Sequence, residues 1–154
     1  MFTSPDECAR QVLEAVPMVM RTIRTEMRSH RGSDLSVPQF RVLVYLHRHE
    51  GASLSDIAEH LGLTLPSMSK MIDGLVARQL VTRQMDPGDR RRVTLAATAL
   101  GRTAMQSAYK ATESRLAERL AALPASERHT ILKAMQVLES IFVTGREAKT
   151  AIGK

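Results

Sequence analysis

What this 154-residue chain lacks narrows its function considerably. Cys8 is its only cysteine, so no disulfide can form within the chain, a usage that fits a reducing cytoplasm. Aromatic residues make up 3% and tryptophan is missing, which argues against single-stranded nucleic acid stacked on aromatic platforms. No run approaches the roughly eighteen apolar residues that a membrane-spanning helix needs, so no membrane partner is expected. Asp6, Glu7, Arg10 and Glu14 interrupt the first thirty residues, and no signal peptide is expected. There is no G-x-S-x-G, Walker loop, H-E-x-x-H or C-x-x-C. The carboxylates are scattered along amphipathic stretches, where solvation or i,i+4 pairing accounts for them, so an enzyme is not expected. His47, His49, Glu50 and His60 invite a metal reading, but residues two apart do not share a helix face, so neither metal nor cofactor is expected.

What is present is positive charge. The net charge is +6, which favours a polyanionic partner. Between Thr64 and Arg92, Lys70, Arg78, Arg83, Arg90, Arg91 and Arg92 face only Asp73, Asp86 and Asp89, so this short segment carries half of the surplus. With aromatics so scarce, duplex is the form of nucleic acid to expect.

The apolar periodicity predicts a mostly α chain of one domain's size. Val12, Val16, Val19, Ile23 and Met27 mark a first helix over residues 5–30, which Pro17 should kink or divide. Ser36 is placed to cap a second helix with Pro38 in its first turn and Phe40, Leu43, Val44 and Leu46 inward. Gly51 is its expected stop. Ser53 and Asp56 have capping-box spacing before Leu54, Ile57, Ala58 and Leu61. Gly62 falls at a turn, and Thr64 caps a helix with Met68, Met71, Ile72 and Leu75 inward. Two short helices around a glycine turn form a helix-turn-helix. Leu80–Met85 and Arg91–Ala96 then read as strands around "DPGD", with Pro87 and Gly88 suited to a type II turn in which Gly88 takes positive φ. Thr98 should start a helix to Leu123, Pro124 should break it, and a last helix should run from Ser126 to Thr144 with Ile131, Met135, Leu138 and Phe142 on one face.

A helix-turn-helix followed by a hairpin is a winged helix, and three adjacent arginines at the tip repel one another unless an anion meets them. The narrow minor groove concentrates negative potential, and a weakly hydrated guanidinium enters it at little cost. "DPGDRRRVTLAATALG" resembles the wing signature of the MarR family of transcriptional regulators, with Asp89-Arg90-Arg91 as its Asp-x-Arg core. "LSDIAEHLGLTLPSMSKMIDGLVARQLVTR" is similar to that family's helix-turn-helix and "LSVPQFRVL" to the helix before it, together covering residues 35–101. The resemblance implies a winged helix-turn-helix over residues 35–97, flanked by dimerisation helices over 5–30 and 98–148, within one chain of residues 1–154. It implies a homodimeric repressor that binds a pseudo-palindromic operator and is released by a small ligand or an oxidant. By matching position, Arg91 enters the minor groove and Asp89 holds it; Thr64, Pro66, Ser67, Ser69 and Lys70 meet the major groove. Arg83, Arg90 and Arg92 complete the expected DNA-binding set. The family's usual glycine after the recognition helix is Gln79 here, which would cost about 1 kcal/mol if left-handed. Ala97 replaces a common Leu, predicting looser packing at the wing's base.

Each feature has a plainer reading. The arginines could form a solvated edge that deters strand-on-strand aggregation. Ser67, Ser69 and Lys70 lie on the exposed face whatever they contact. Cys8 sits about one turn before the position, near Val12, at which hydroperoxide-sensing relatives carry a reactive thiol, and it reads as an ordinary thiol. Met18, Met20, Met27, Met105 and Met135 suit packing before a ligand pocket, and Arg21 and Arg24 suit surface pairing before an anionic effector. The terminal helices carry more apolar surface than a three-helix module needs, which favours a second copy of the chain. The competing functional class is a winged-helix dimer that scaffolds a protein partner without sequence-specific DNA binding.

Overall fold

The computed structural model describes residues 3–29 and 34–142. His30, most of the predicted break at 31–34, residues 143–144 of the predicted last helix and 143–148 of the expected dimerisation region lie outside the described residues. The element order is α1 (Pro5–Ser29), α2 (Val37–Arg48), α3 (Leu54–Leu61), α4 (Leu65–Ala77), β1 (Val81–Met85), β2 (Val93–Ala97), α5 (Ala99–Leu120) and α6 (Ala125–Phe142). The chain divides into two compact units, Met1–Arg115 and Leu116–Lys154.

In the first unit the helix starts are set by side-chain caps. Ser36 Oγ accepts the Gln39 amide at 3.3 Å while Gln39 Oε1 accepts the Ser36 amide at 3.0 Å. Ser53 and Asp56 repeat this reciprocal box at α3, with both bonds 3.1 Å. Each box satisfies two amides that the first helical turn would leave without partners. Gly62 ends α3 at φ 69°, the left-handed position for which glycine has no steric penalty. α1 runs unbroken through Pro17; the lost amide removes one backbone bond without dividing the helix. α2 ends at Arg48 rather than at Gly51. Gly51 instead takes φ 79° and turns the chain onto β2, its amide donating to the Leu95 carbonyl at 3.2 Å. Leu95 answers by donating to the Ala52 carbonyl at 2.9 Å.

The core gathers where these elements converge. Val42, Leu43 and Leu46 of α2, Ile57 of α3, and Met68, Ile72 and Leu75 of α4 are fully buried. Val81 and Leu95 close it from the sheet, with Met27 of α1 and Met105 and Ala108 of α5 joining. β1 and β2 pair antiparallel from Val81↔Ala97 to Met85↔Val93.

Two expectations about the hairpin are corrected. The strands begin one and two residues later than predicted, so the connection is a seven-residue loop, 86–92; the Asp89 amide donates to the Asp86 carbonyl across Pro87-Gly88 at 3.3 Å, but the turn is not type II. Gly88 is not among the glycines with positive φ. The physical reason lies in the aspartates. Asp86 Oδ1 accepts the Gly88 amide at 2.8 Å and Asp89 Oδ1 accepts the Arg91 amide at 3.0 Å, so each carboxylate builds its own local turn. The Asp86 amide closes the loop on the Arg92 carbonyl at 2.8 Å.

Where α4 meets the wing, Gln79 takes φ 61°, as expected for a residue replacing glycine there. The Gln79 amide donates to the Val76 carbonyl and the Leu80 amide to the Leu75 carbonyl, both at 2.9 Å, the paired bonds of a Schellman motif. Beyond the wing, a Cβ on Gly101 would lie 2.1 Å from the Leu80 carbonyl oxygen, so α5 can approach this backbone only through glycine. Thr98 caps α5 by accepting the Gly101 amide at 2.9 Å. In the second unit, Arg128 donates to the Leu123 carbonyl at 2.7 Å, holding the turn that precedes α6.

Two substitutions test this junction. Gly101→Ala should cost about 3 kcal/mol, because backbone rather than a flexible side chain must give way. Gln79→Gly should stabilise by up to about 0.5 kcal/mol, the left-handed penalty of about 1 kcal/mol less glycine's extra chain entropy. Urea unfolding of both variants measures these differences.

Candidate nucleic-acid interface

α4 has one dry side and one open side. Met68, Ile72 and Leu75 fill the core, whereas Pro66, Ser67, Lys70 and Asp73 are exposed and Ser69 is half-buried. At its start, the Thr64 hydroxyl accepts the Ser67 amide at 3.3 Å and donates to Ser67 Oγ at 3.0 Å. The first turn contains no acidic residue, so nothing opposes the partial positive charge of the helix N-terminus. Such an end accommodates a phosphate oxygen.

The wing supplies the full charges. Asp89, Arg90, Arg91 and Arg92 are all exposed in the 86–92 loop. Among the described residues, none of the three guanidinium groups has an ion-pair partner. The loop is ordered by backbone bonds: Arg92 donates to the Asp89 carbonyl at 2.9 Å and Asp89 to the Asp86 carbonyl at 3.3 Å. Asp89 thus grips the backbone of Arg91 rather than its guanidinium, leaving the charged end open.

Arg83 is placed differently from the other expected contacts. It reaches from β1 to pair with Asp73 of α4. Both groups are substantially exposed, so the pair adds little stability, but it ties the hairpin to the second helix of the helix-turn-helix. In the sequence Asp73 is legible only as a neighbouring acid, and no spacing rule pairs residues ten apart across two elements. Leu65 is exposed at the first position of α4.

The histidines take structural places. The Tyr45 ring stacks on His49 with centroids 4.3 Å apart and lies 4.6 Å from His60. Cys8 is exposed on α1. Among the described residues, no helix is long and apolar enough to cross a membrane.

Two capped helices around a left-handed glycine, followed by a two-stranded wing, define a winged helix-turn-helix, the class of fold that presents a helix and a basic loop to duplex DNA. A model of the MarR family matches residues 35–93. The HTH-type transcriptional regulator YfiV of Bacillus subtilis (strain 168) is 29% identical over 105 residues, which are 68% of this chain and 66% of that protein. Among solved structures, RV1404 of Mycobacterium tuberculosis shares the fold with a TM-score of 0.78 at 24% identity, covering 92% of this chain and 95% of its own. The transcriptional repressor CouR, solved on a 23-mer DNA duplex, gives a TM-score of 0.69 at 26% identity, covering 91% of this chain and 99% of its own. CouR from Rhodococcus jostii RHA1 has also been solved with p-coumaroyl-CoA, at TM-score 0.68, 26% identity and coverages of 90% and 94%. The match over residues 35–93 and these relatives make the chain similar to the MarR family of DNA-binding transcriptional regulators.

The backbone grip makes a specific prediction. Removing its acceptor in Asp89→Ala should speed hydrogen exchange at the Arg91 amide about fivefold, the worth of one hydrogen bond of about 1 kcal/mol. Asp89→Asn keeps an oxygen in place and should leave the rate near wild type. NMR exchange measurements separate the two.

Proposed function

We propose that this regulator is a cytoplasmic homodimeric repressor that binds a pseudo-palindromic operator through α4 and the 86–92 loop and leaves it when a small ligand binds. The observation that carries the DNA assignment is the ordered loop with three open guanidinium groups. Such a loop gains from the negative potential of a narrow minor groove, and its order is established before binding. In this reading Arg91 enters the minor groove and Arg90 and Arg92 meet the flanking phosphates. Thr64, Pro66, Ser67, Ser69 and Lys70 face the major groove. Arg83 acts first through Asp73, as the tie that orients the wing.

The dimer is supported by apolar surface that the single chain leaves open. Leu13, Val16, Met18 and Val19 on α1 are exposed, as are Ile131, Leu132, Met135, Val137, Ile141 and Phe142 on α6. Only the last part of the α1 stripe, at Ile23 and Met27, packs inside the chain. A second copy would cover such faces symmetrically and set two recognition helices about 34 Å apart, one turn of DNA. A ligand that favours another separation would shift the population away from the bound form. The CouR structures, one with DNA and one with a CoA thioester, support a regulator of this kind.

Band-shift titration on an operator fragment tests the wing. Arg91→Ala should weaken binding by roughly 10–100-fold, on the scale of 1–3 kcal/mol for a specific contact. The wild type should lose affinity steeply with rising salt, because bound phosphates release counterions. Wild-type affinity in Arg91→Ala, or binding indifferent to salt, would contradict the assignment and favour a protein partner. Sedimentation should give twice the chain mass without DNA.

A further inference from the structure

Leu65 opens α4 and is 50% exposed; Leu63, just before the cap, is 37% exposed. Half-open leucines are ordinary on protein surfaces, so the place matters more than the exposure. The first two side chains of α4, Leu65 and Pro66, carry no hydrogen-bonding group. The Thr64 hydroxyl donates its proton to Ser67 Oγ at 3.0 Å and accepts the Ser67 amide at 3.3 Å. Pro66 has no amide hydrogen, and the first turn carries no acidic side chain. The nearest cation on this helix is Lys70, more than a turn away. Beside the Ser67 hydroxyl, whose own proton stays available, the first two side chains of the recognition helix, Leu65 and Pro66, present hydrocarbon.

Of the base edges in a major groove, only thymine rewards hydrocarbon, through its C5-methyl group. The other edges offer donors and acceptors that lose water against a leucine and gain nothing in return. We propose that Leu65, backed by Pro66, packs on a thymine methyl in each half-site and is a specificity-determining residue of this DNA surface. The inference rests on the duplex-binding reading above and extends it to the identity of one base pair.

The test begins with a duplex selected by the full chain from a randomised pool. Each thymine of that duplex is then replaced singly by deoxyuridine, which removes the methyl and nothing else. One symmetry-related pair of thymines should be sensitive, each replacement weakening binding about fourfold, the value of one buried methyl-sized group. Leu65→Ala, confirmed folded by circular dichroism, should bind the thymine and deoxyuridine duplexes alike at that position, with an unchanged salt slope. If Leu65→Ala keeps the full sensitivity, or if no thymine in a tightly bound duplex is sensitive, the leucine assignment is overturned while DNA binding stands. A pool in which no sequence is enriched overturns both.

Discussion

The carbonyl of Leu80 is the point on which the first unit turns. It accepts the Thr98 amide at 3.0 Å, and Gly101 of α5 passes so close that no side chain fits between. The amide of the same residue closes the end of α4 on Leu75. One residue earlier, the Gln79 carbonyl accepts the Thr98 hydroxyl at 2.6 Å. The end of the recognition helix, the start of β1 and the start of α5 are therefore fastened within a few ångströms. Arg102 adds a bond to the Ala97 carbonyl at 2.9 Å from the α5 side. A tilt of α5 cannot leave the wing or α4 where they were, because packed backbone has no slack to absorb it.

That fastening gives a physical route for regulation. In the proposed dimer, whatever repositions α5 moves the recognition helix and the wing as one body. The Asp73–Arg83 pair works in the same direction, joining α4 to β1 on their exposed side. Neither tie is strong in free energy, and neither needs to be. Their effect is to remove independent motions, so that a ligand bound elsewhere alters the spacing of two rigid readers rather than loosening one of them.

Much of this was legible in the residues alone. The helix starts at Ser36, Ser53 and Thr64 follow from side-chain oxygens bonding nearby amides, which are local events. The inward faces of α3 and α4 follow from 3.6-residue periodicity. Gln79 was legible as a candidate left-handed residue because the resemblance places it where MarR-family sequences usually carry glycine. The failures were places where local rules compete. The Asp89 amide still closes across Pro87-Gly88 on the Asp86 carbonyl, but with Asp86 Oδ1 holding the Gly88 amide the turn forms without positive φ at Gly88. Asp73–Arg83 and Gly101 against Leu80 depend on tertiary approach, for which sequence spacing carries no signal. Leu65 shares the 3.6-residue spacing of Met68, Ile72 and Leu75, so spacing carries no signal that it stands half-exposed at the first position of α4.

The claim at the centre of this account is that two copies read duplex DNA together, each with one helix in a major groove and one arginine in the minor groove beside it. Hydroxyl-radical footprinting of the bound protein tests it most directly. The account predicts a two-fold symmetric pattern, with half-sites about ten base pairs apart and outer minor-groove protections that disappear in Arg91→Ala. A single asymmetric footprint, or outer protections that persist without that guanidinium, would contradict it.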